Sequence, residues 1–150
     1  ISTAVIADAA MRERFEAEYR SIHFAEGTVF AHVAFEAAYS ESEAWLDALL
    51  VHLKANQYKL QKMLQQHRHL ITCTFPEGTY LAWLNCDKMA LTDAQLRAFF
   101  IDDARLGLSP GLAFGKEGSR FMRLNFAVPS AVMDEALHRL DDALRSFVHA

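Results

Sequence analysis

The sequence predicts an α+β fold, in which helices cover one face of a small, mainly antiparallel sheet. Two observations lead to this prediction: long segments carry apolar residues at helical spacing, and three shorter segments alternate apolar and polar residues as strands do. The predicted order is three helices, a hairpin, a helix, a loop, a strand and a helix. With 150 residues, 52% of them hydrophobic, the chain is long enough for one ordinary domain or for a compact domain with an appended piece.

Two helices are predicted at the N-terminal end. The first begins near Asp8 and fades around Arg20, and the second follows a break at 26–27, with Thr28 as its N-cap. Neither helix has a strand of its own to cover. Their apolar positions are therefore predicted to form packing surface for something else, and these positions include Met11, Phe15, Phe30 and Val33.

The longest predicted helix comes third. Ser40 and Glu43 have the spacing of a capping box, so Ser40 is predicted to be the N-cap of this helix. Apolar residues then recur at steps of three and four as far as His67, which gives a helix of about 25 residues. Because that length exceeds the usual one, the helix is predicted to join two packing units.

A hairpin follows, because the pattern changes from helical to alternating. The first strand is predicted at 71–75, a turn at 76–79 and the second strand at 80–86. Thr92 and Gln95 form a second capping box, which begins a helix that continues through Phe100 to Ala104.

The C-terminal part is predicted to contain a loop, a strand and a helix. The loop is rich in glycine, but its pattern fits neither a P-loop nor a dinucleotide fingerprint. The strand is Phe121–Pro129, and Ser130 is predicted to cap the final amphipathic helix.

Composition argues against several classes of function. The net charge of -4 disfavours a surface for nucleic acid or anionic membrane, and no apolar run reaches the length of a bilayer span. Cys73 and Cys86 are expected to be free, buried thiols of a cytoplasmic enzyme. His67 and His69 do not share a helix face, so no metal site is predicted.

Arg123 is the one charged residue in the Phe121–Pro129 strand. A guanidinium among apolar neighbours needs an anionic partner, and its planar fork can hold a carboxylate through two hydrogen bonds. The partner could be a carboxylate of this chain, for example Glu77 or Asp87, or it could be a substrate. The residues alone leave these two alternatives open.

Several segments carry a family resemblance: Phe35–Tyr39, Trp45–Leu50 with Leu53–Asn56, Pro76–Leu84, Leu106–Gly115 and Phe121–Pro129. Together they resemble the C-terminal part of fold-type I pyridoxal-phosphate enzymes. The resemblance is to the class I/II aminotransferase-like branch that contains cystathionine β-lyases and related C–S lyases, and it covers nearly all of the chain in the right order.

The resemblance implies a domain organisation and a set of site residues. Residues 1–44 would be the end of the α/β large domain that binds pyridoxal phosphate, and residues 45–150 would be the small C-terminal domain with the interdomain helix. Arg123 would bind the α-carboxylate of the amino-acid substrate, and Tyr80 and Phe114 would lie at the mouth of the site. The Schiff-base lysine and the other cofactor ligands would lie N-terminal to this stretch, so no catalytic, cofactor-binding or metal-binding residue is expected within it.

The resemblance also implies a function for the longer protein. Cystathionine β-lyase-type α,β-elimination is the first expectation and transamination the second, with a homodimer as the assembly and the 150-residue chain inactive alone. A non-catalytic interaction or regulatory module is the alternative of another class, because the first two helices carry apolar faces without an evident partner.

Overall fold

A computed structural model describes residues 2–22 and 28–148 of the chain. The chain divides into two compact units, Ile1–Asp47 and Ala48–Ala150. The assignment of 1–44 to a large domain stays a prediction. The predicted break at 26–27 lies outside the described residues.

The first unit contains helices α1 (Ala9–Ser21) and α2 (Val29–Ser40). Both predicted N-termini are confirmed, since the Asp8 carboxylate accepts a hydrogen bond from the Met11 amide at 2.7 Å and the Thr28 hydroxyl accepts one from the Ala31 amide at 3.2 Å. No described residue of either helix is buried. The side chain of Phe30 is 86% exposed, so the apolar face of α2 lacks a cover within the described residues.

The long helix α3 extends from Glu43 to Gln66, close to its predicted bounds. The predicted capping role of Ser40 is wrong. Ser40 is the last residue of α2, and its hydroxyl donates to the Glu36 carbonyl at 2.8 Å. That bond back to the preceding turn holds Ser40 in α2, so it cannot serve as the N-cap of the next helix.

The second unit is built on a four-stranded antiparallel sheet, which confirms the predicted sheet and hairpin. The spatial order is β1-β2-β4-β3, so the arginine strand lies inside the sheet. The strands are β1 (Thr72–Thr74), β2 (Leu81–Asn85), β3 (Ser109–Pro110) and β4 (Phe121–Asn125).

Two features of this sheet differ from the prediction. Strand β3 lies in the predicted loop. It carries no strand signal in the sequence because it is only two residues long and includes a proline, which has no amide hydrogen to donate to a neighbouring strand. Strand β4 ends at Asn125 and does not continue to Pro129, because the Asn125 side chain accepts a hydrogen bond from the Ala127 amide at 2.8 Å and turns the backbone.

Helix α4 (Asp93–Ala98) has the predicted capping box, with the Thr92 and Gln95 side chains each bonded to the other's backbone. The helix then widens into a π-helical turn at Phe99–Asp103, where the Ala104 amide donates to the Phe99 carbonyl five residues earlier. A wider turn rotates less per residue. It therefore lets two successive phenylalanines, Phe99 and Phe100, both reach the core.

Helix α5 (Ser130–Val148) completes the unit. Ser130 is its first residue and not its cap, since the Met133 amide donates to the Pro129 carbonyl. The Ser130 hydroxyl instead accepts a hydrogen bond from Lys59 at 2.7 Å, which links α5 to α3.

The core lies on one face of the sheet and confirms the α+β class. Strand residues at alternate positions point into it, and helices α3, α4 and α5 supply the rest. Its buried members include Leu60, Leu64, Ala82, Leu84, Leu96, Phe100, Met122, Leu124, Met133, Leu140 and Leu144. None of the described helices is long and apolar enough to span a membrane.

A partly buried pair, His67 and Asp141, joins the end of α3 to α5. His67 is 6% exposed, and its Nε2 lies 2.6 Å from Asp141 Oδ1. Because an ionised carboxylate only accepts, His67 donates this hydrogen bond through Nε2. Burial acts to raise the pKa of Asp141, but hydrogen bonds from His67 and Arg145 outweigh it and hold the pKa below its ordinary value of 3.8.

Replacing Asp141 by asparagine is expected to lower the free energy of unfolding at neutral pH by about 1–2 kcal/mol. A carboxyl whose pKa is lower in the folded state stabilises the fold above its unfolded pKa and loses this effect as pH falls through the folded pKa. The difference between wild type and Asp141→Asn should therefore shrink once the pH falls below 3.8. Urea unfolding over that pH range measures it, and a difference independent of pH would contradict the assignment.

Candidate carboxylate-binding site

The sheet face away from the core is only partly covered. Strand alternation places Trp83, Phe121 and Arg123 on this open face, whereas their neighbours along the strands are buried. The register sets Arg123 directly opposite both Trp83 on β2 and Ser109 on β3. Because residues directly opposite in an antiparallel sheet share a face, these three side chains lie together.

Among residues 2–22 and 28–148, the Arg123 guanidinium makes one side-chain hydrogen bond and one cation–π contact. Its Nη2 donates a hydrogen bond to Ser109 Oγ at 3.2 Å, and its central carbon lies 4.6 Å from the centroid of the Phe114 ring. In the described part of the chain no carboxylate forms an ion pair with Arg123. Asp87 pairs with Arg120 at 2.9 Å, and Glu77 forms no ion pair with a described residue, so neither fills the role considered from the sequence.

Aromatic rings surround this arginine on one side. The Trp83 ring meets Phe114 edge to face and stacks on Phe121, both at a centroid distance of 5.6 Å. Such arrangements are favourable for aromatic pairs, and they limit the freedom of Phe114 over the guanidinium. Sequence reasoning did not select Trp83, although its position in the alternation of β2 could have placed it on the open face.

The structure brings Phe114 to Arg123 but does not bring Tyr80 to either. Tyr80 precedes β2, and its carbonyl accepts a hydrogen bond from the Phe126 amide at 3.0 Å. Its side chain is 45% exposed and makes no hydrogen bond or ring contact with Arg123 or Phe114 within the described chain. The predicted positions of Tyr80 and Phe114 at the mouth of a substrate site stay predictions.

The loop that carries Phe114 is held by a close backbone crossing. A Cβ atom on Gly111 would collide with the Gly118 carbonyl and come within 2.8 Å of the Phe121 carbonyl oxygen. Glycine is therefore required at this position, and the crossing fixes both ends of the loop just before β4.

Asp93, the first residue of α4, forms hydrogen bonds to the two residues between this loop and β4. Its carboxylate accepts hydrogen bonds from the Arg120 amide at 2.6 Å and from the Ser119 hydroxyl at 2.8 Å. These bonds, led by the one from the Arg120 backbone, lower the pKa of Asp93. Arg120 has a positive φ of 61°, which is uncommon for a residue with a side chain. The hydrogen bonds to Asp93 therefore stabilise an uncommon backbone conformation just before β4 begins.

Two side chains of α3 form hydrogen bonds to the backbone that follows the other end of β4. Asn56 is 1% exposed, and its amide donates to the carbonyls of Phe126 at 3.0 Å and Val128 at 2.8 Å. His52 Nε2 also donates to the Val128 carbonyl at 2.8 Å. The strand of Arg123 is thus fixed at both ends, which gives its side chain a defined place on the open face.

The lysines of the described chain do not suit a Schiff base. Four are exposed, and the half-buried Lys59 pairs with Asp134 at 2.6 Å. A lysine used in this way is normally desolvated or close to another cation. The described residues therefore supply no attachment point for an aldehyde cofactor, and among them no group of three metal-ligating side chains is arranged to hold an ion.

Known proteins give a consistent comparison. Cystathionine β-lyase PatB of Bacillus subtilis is 31% identical over 143 residues, which are 95% of this chain and 37% of that protein. Cystalysin from Treponema denticola, which contains pyridoxal 5′-phosphate, superposes with a TM-score of 0.83 at 30% identity over 95% of this chain and 36% of its own. A pyridoxal-phosphate-bound C–S lyase of Staphylococcus hominis gives a TM-score of 0.76 at 27% identity over 93% of this chain and 36% of its own. No family model matches.

These likenesses define a class for the chain. It is homologous to the C-terminal part of the fold-type I pyridoxal-phosphate enzymes, and the resemblance seen in its motifs is confirmed. Proteins similar to this chain include cystathionine β-lyases, C–S lyases and aminotransferases. The chain spans a little over a third of the length of the relatives described above.

Proposed function

We propose that this chain is the substrate-carboxylate-binding part of a pyridoxal-phosphate-dependent C–S lyase of the cystathionine β-lyase type. The observation that carries the proposal is Arg123, a guanidinium on an open sheet face with no carboxylate partner in the described chain. Homology to cystathionine β-lyases supplies the class of reaction.

Arg123 would bind the α-carboxylate of an amino acid. Its planar fork matches the two carboxylate oxygens, and Phe114 covers one of its faces, so water has less access to the pair. Holding the carboxylate at one fixed point orients the Cα–H and Cβ–S bonds of the substrate relative to groups elsewhere in the enzyme.

The cofactor supplies the electronic part of the reaction. When bound, pyridoxal phosphate acts as an electron sink for the carbanion at Cα. The overall elimination breaks the Cα–H and Cβ–S bonds, consumes one water molecule and releases a thiol, ammonia and a keto acid. This chain's own residues bind and orient the substrate; the attachment of the cofactor belongs to other parts of the protein, which we propose to be a cytoplasmic homodimer.

Transamination is the second candidate, because an arginine anchor for the α-carboxylate would serve both reactions. The full-length protein should be assayed with cystathionine alone and with an amino acid plus a keto-acid acceptor. Release of a thiol and ammonia from cystathionine supports the lyase, whereas transfer of the amino group without ammonia release supports the aminotransferase. A purified protein without pyridoxal-phosphate absorbance would contradict both.

A non-catalytic interaction module is the candidate from another class. The exposed side chains of Met11, Phe15, Phe30 and Val33 favour it, because an uncovered apolar face needs a partner. Light scattering of the 150-residue chain tests the idea: association through this face supports it, and a monomer that binds no apolar dye removes its basis.

A further inference from the structure

We propose that Ser109 is a second ligand for the substrate's carboxylate, acting beside Arg123. This inference rests on the proposed function, because it assigns a further residue to the same subsite. It starts from the register of the sheet, in which Ser109 on β3 lies directly opposite Arg123 on β4. Both side chains therefore lie on the open face, close enough to contact one ligand together.

The hydrogen bond between the two side chains determines what each can still offer. A guanidinium only donates, so Ser109 Oγ is the acceptor of the 3.2 Å bond from Arg123 Nη2. The serine hydroxyl hydrogen is not used in that bond, and it has no partner among the described residues. Ser109 thus presents a free O–H donor next to a fork whose other N–H groups also lack partners in the described chain.

A carboxylate is the ligand that matches this set of donors. It is planar and has two oxygens that each accept more than one hydrogen bond. In the proposed arrangement the Arg123 fork donates to both oxygens, and the Ser109 hydroxyl donates to the oxygen on the β3 side. Phe114 limits the approach from one face of the guanidinium, since its ring already lies 4.6 Å from the central carbon.

A purely structural role for Ser109 is the competing explanation. In that case the hydroxyl would only hold Arg123 in place through its acceptor lone pair. The two explanations differ in what a threonine or a cysteine can replace. Threonine keeps a strong O–H donor, whereas cysteine keeps the size of the side chain but offers only a weak donor.

The test uses the full-length holoenzyme and measures the calorimetric Kd of propionate, a carboxylate without an α-amino group, with propionamide as the uncharged comparison. Ser109→Ala and Ser109→Cys are expected to weaken propionate binding about 10-fold, as the loss of one hydrogen bond to a charged group predicts. Ser109→Thr should bind propionate within about threefold of wild type by the same reasoning. Propionamide binding and the cofactor absorbance should not change.

Thr74→Val provides a matched control, because it removes a hydroxyl from the same sheet. Thr74 lies opposite Trp83 in the strand register and not opposite Arg123. Unchanged propionate binding in Ser109→Ala, or failure of Ser109→Thr to restore it, would overturn the assignment of Ser109. If Arg123→Lys weakens propionate binding while Ser109→Ala does not, only this inference fails. If Arg123→Lys has no effect either, the proposed function of the site fails with it.

Discussion

Replacing Arg123 by lysine in the full-length protein is expected to raise KM for the amino-acid substrate by about 10- to 100-fold and to leave the cofactor absorbance unchanged. Lysine keeps the positive charge but replaces the planar fork by a point charge on a flexible stem. The lysine ammonium cannot form the paired hydrogen bonds that a guanidinium forms to a carboxylate. It also lacks the planar group that bonds to Ser109 and lies against the Phe114 ring in the wild type.

Arg120→Lys is the matched control for this experiment. Arg120 lies three residues before Arg123, and its guanidinium is about half exposed and paired with Asp87. An exposed ion pair of this kind contributes little, so KM should stay within experimental error of wild type. If Arg123→Lys behaved like Arg120→Lys, Arg123 would be a structural residue and the carboxylate site would have to lie elsewhere.

The second large effect is expected from Gly111→Ala, which should destabilise the fold by about 3 kcal/mol. The added methyl group would collide with the Gly118 carbonyl, and these are backbone atoms that cannot move aside as a flexible side chain can. Relief requires the loop to shift, and Phe114 would move away from Arg123 with it. KM should therefore rise together with the loss of stability.

Gly107→Ala distinguishes this crossing from a general effect of substituting loop glycines. A Cβ atom at Gly107 would meet nothing within 4 Å, so this variant should keep the unfolding midpoint and KM of wild type. Urea unfolding and steady-state kinetics on the two variants provide the comparison. Equal behaviour of Gly107→Ala and Gly111→Ala would show that the backbone crossing does not hold the site.

Local signals in the sequence predicted most of the secondary structure. The capping box at Thr92 and Gln95 is correct because both partners lie within one turn, and the N-caps at Asp8 and Thr28 depend on equally short contacts. Ser40 has the same type of pattern but is not a cap. Its hydroxyl donates to the Glu36 carbonyl in the preceding helix. The spacing of a capping box does not show whether such a competing acceptor is present.

Features that depend on distant contacts could not be predicted from the sequence. Strand β3 exists only because β4 lies beside it, and its two residues carry no strand pattern of their own. The π-helical turn is stabilised by the burial of Phe99 and Phe100, which is decided by the packing of other elements. Neither feature leaves a periodic signal.

The candidate site was predicted in part. Arg123 stood out because it is the single charge in an apolar strand, and the resemblance to the enzyme family suggested its role. Its neighbours Ser109 and Trp83 follow from the strand register, which a sequence does not specify. The choice between an ion pair and a free arginine likewise needed the positions of Asp87 and Glu77.

A crystal structure of the full-length protein with a bound amino-acid substrate analogue tests the central claim most directly. Both α-carboxylate oxygens are expected within about 2.7–3.2 Å of the Arg123 guanidinium, which is the range of a hydrogen bond. A carboxylate held by another residue, with a protein carboxylate occupying the Arg123 fork, would contradict the claim.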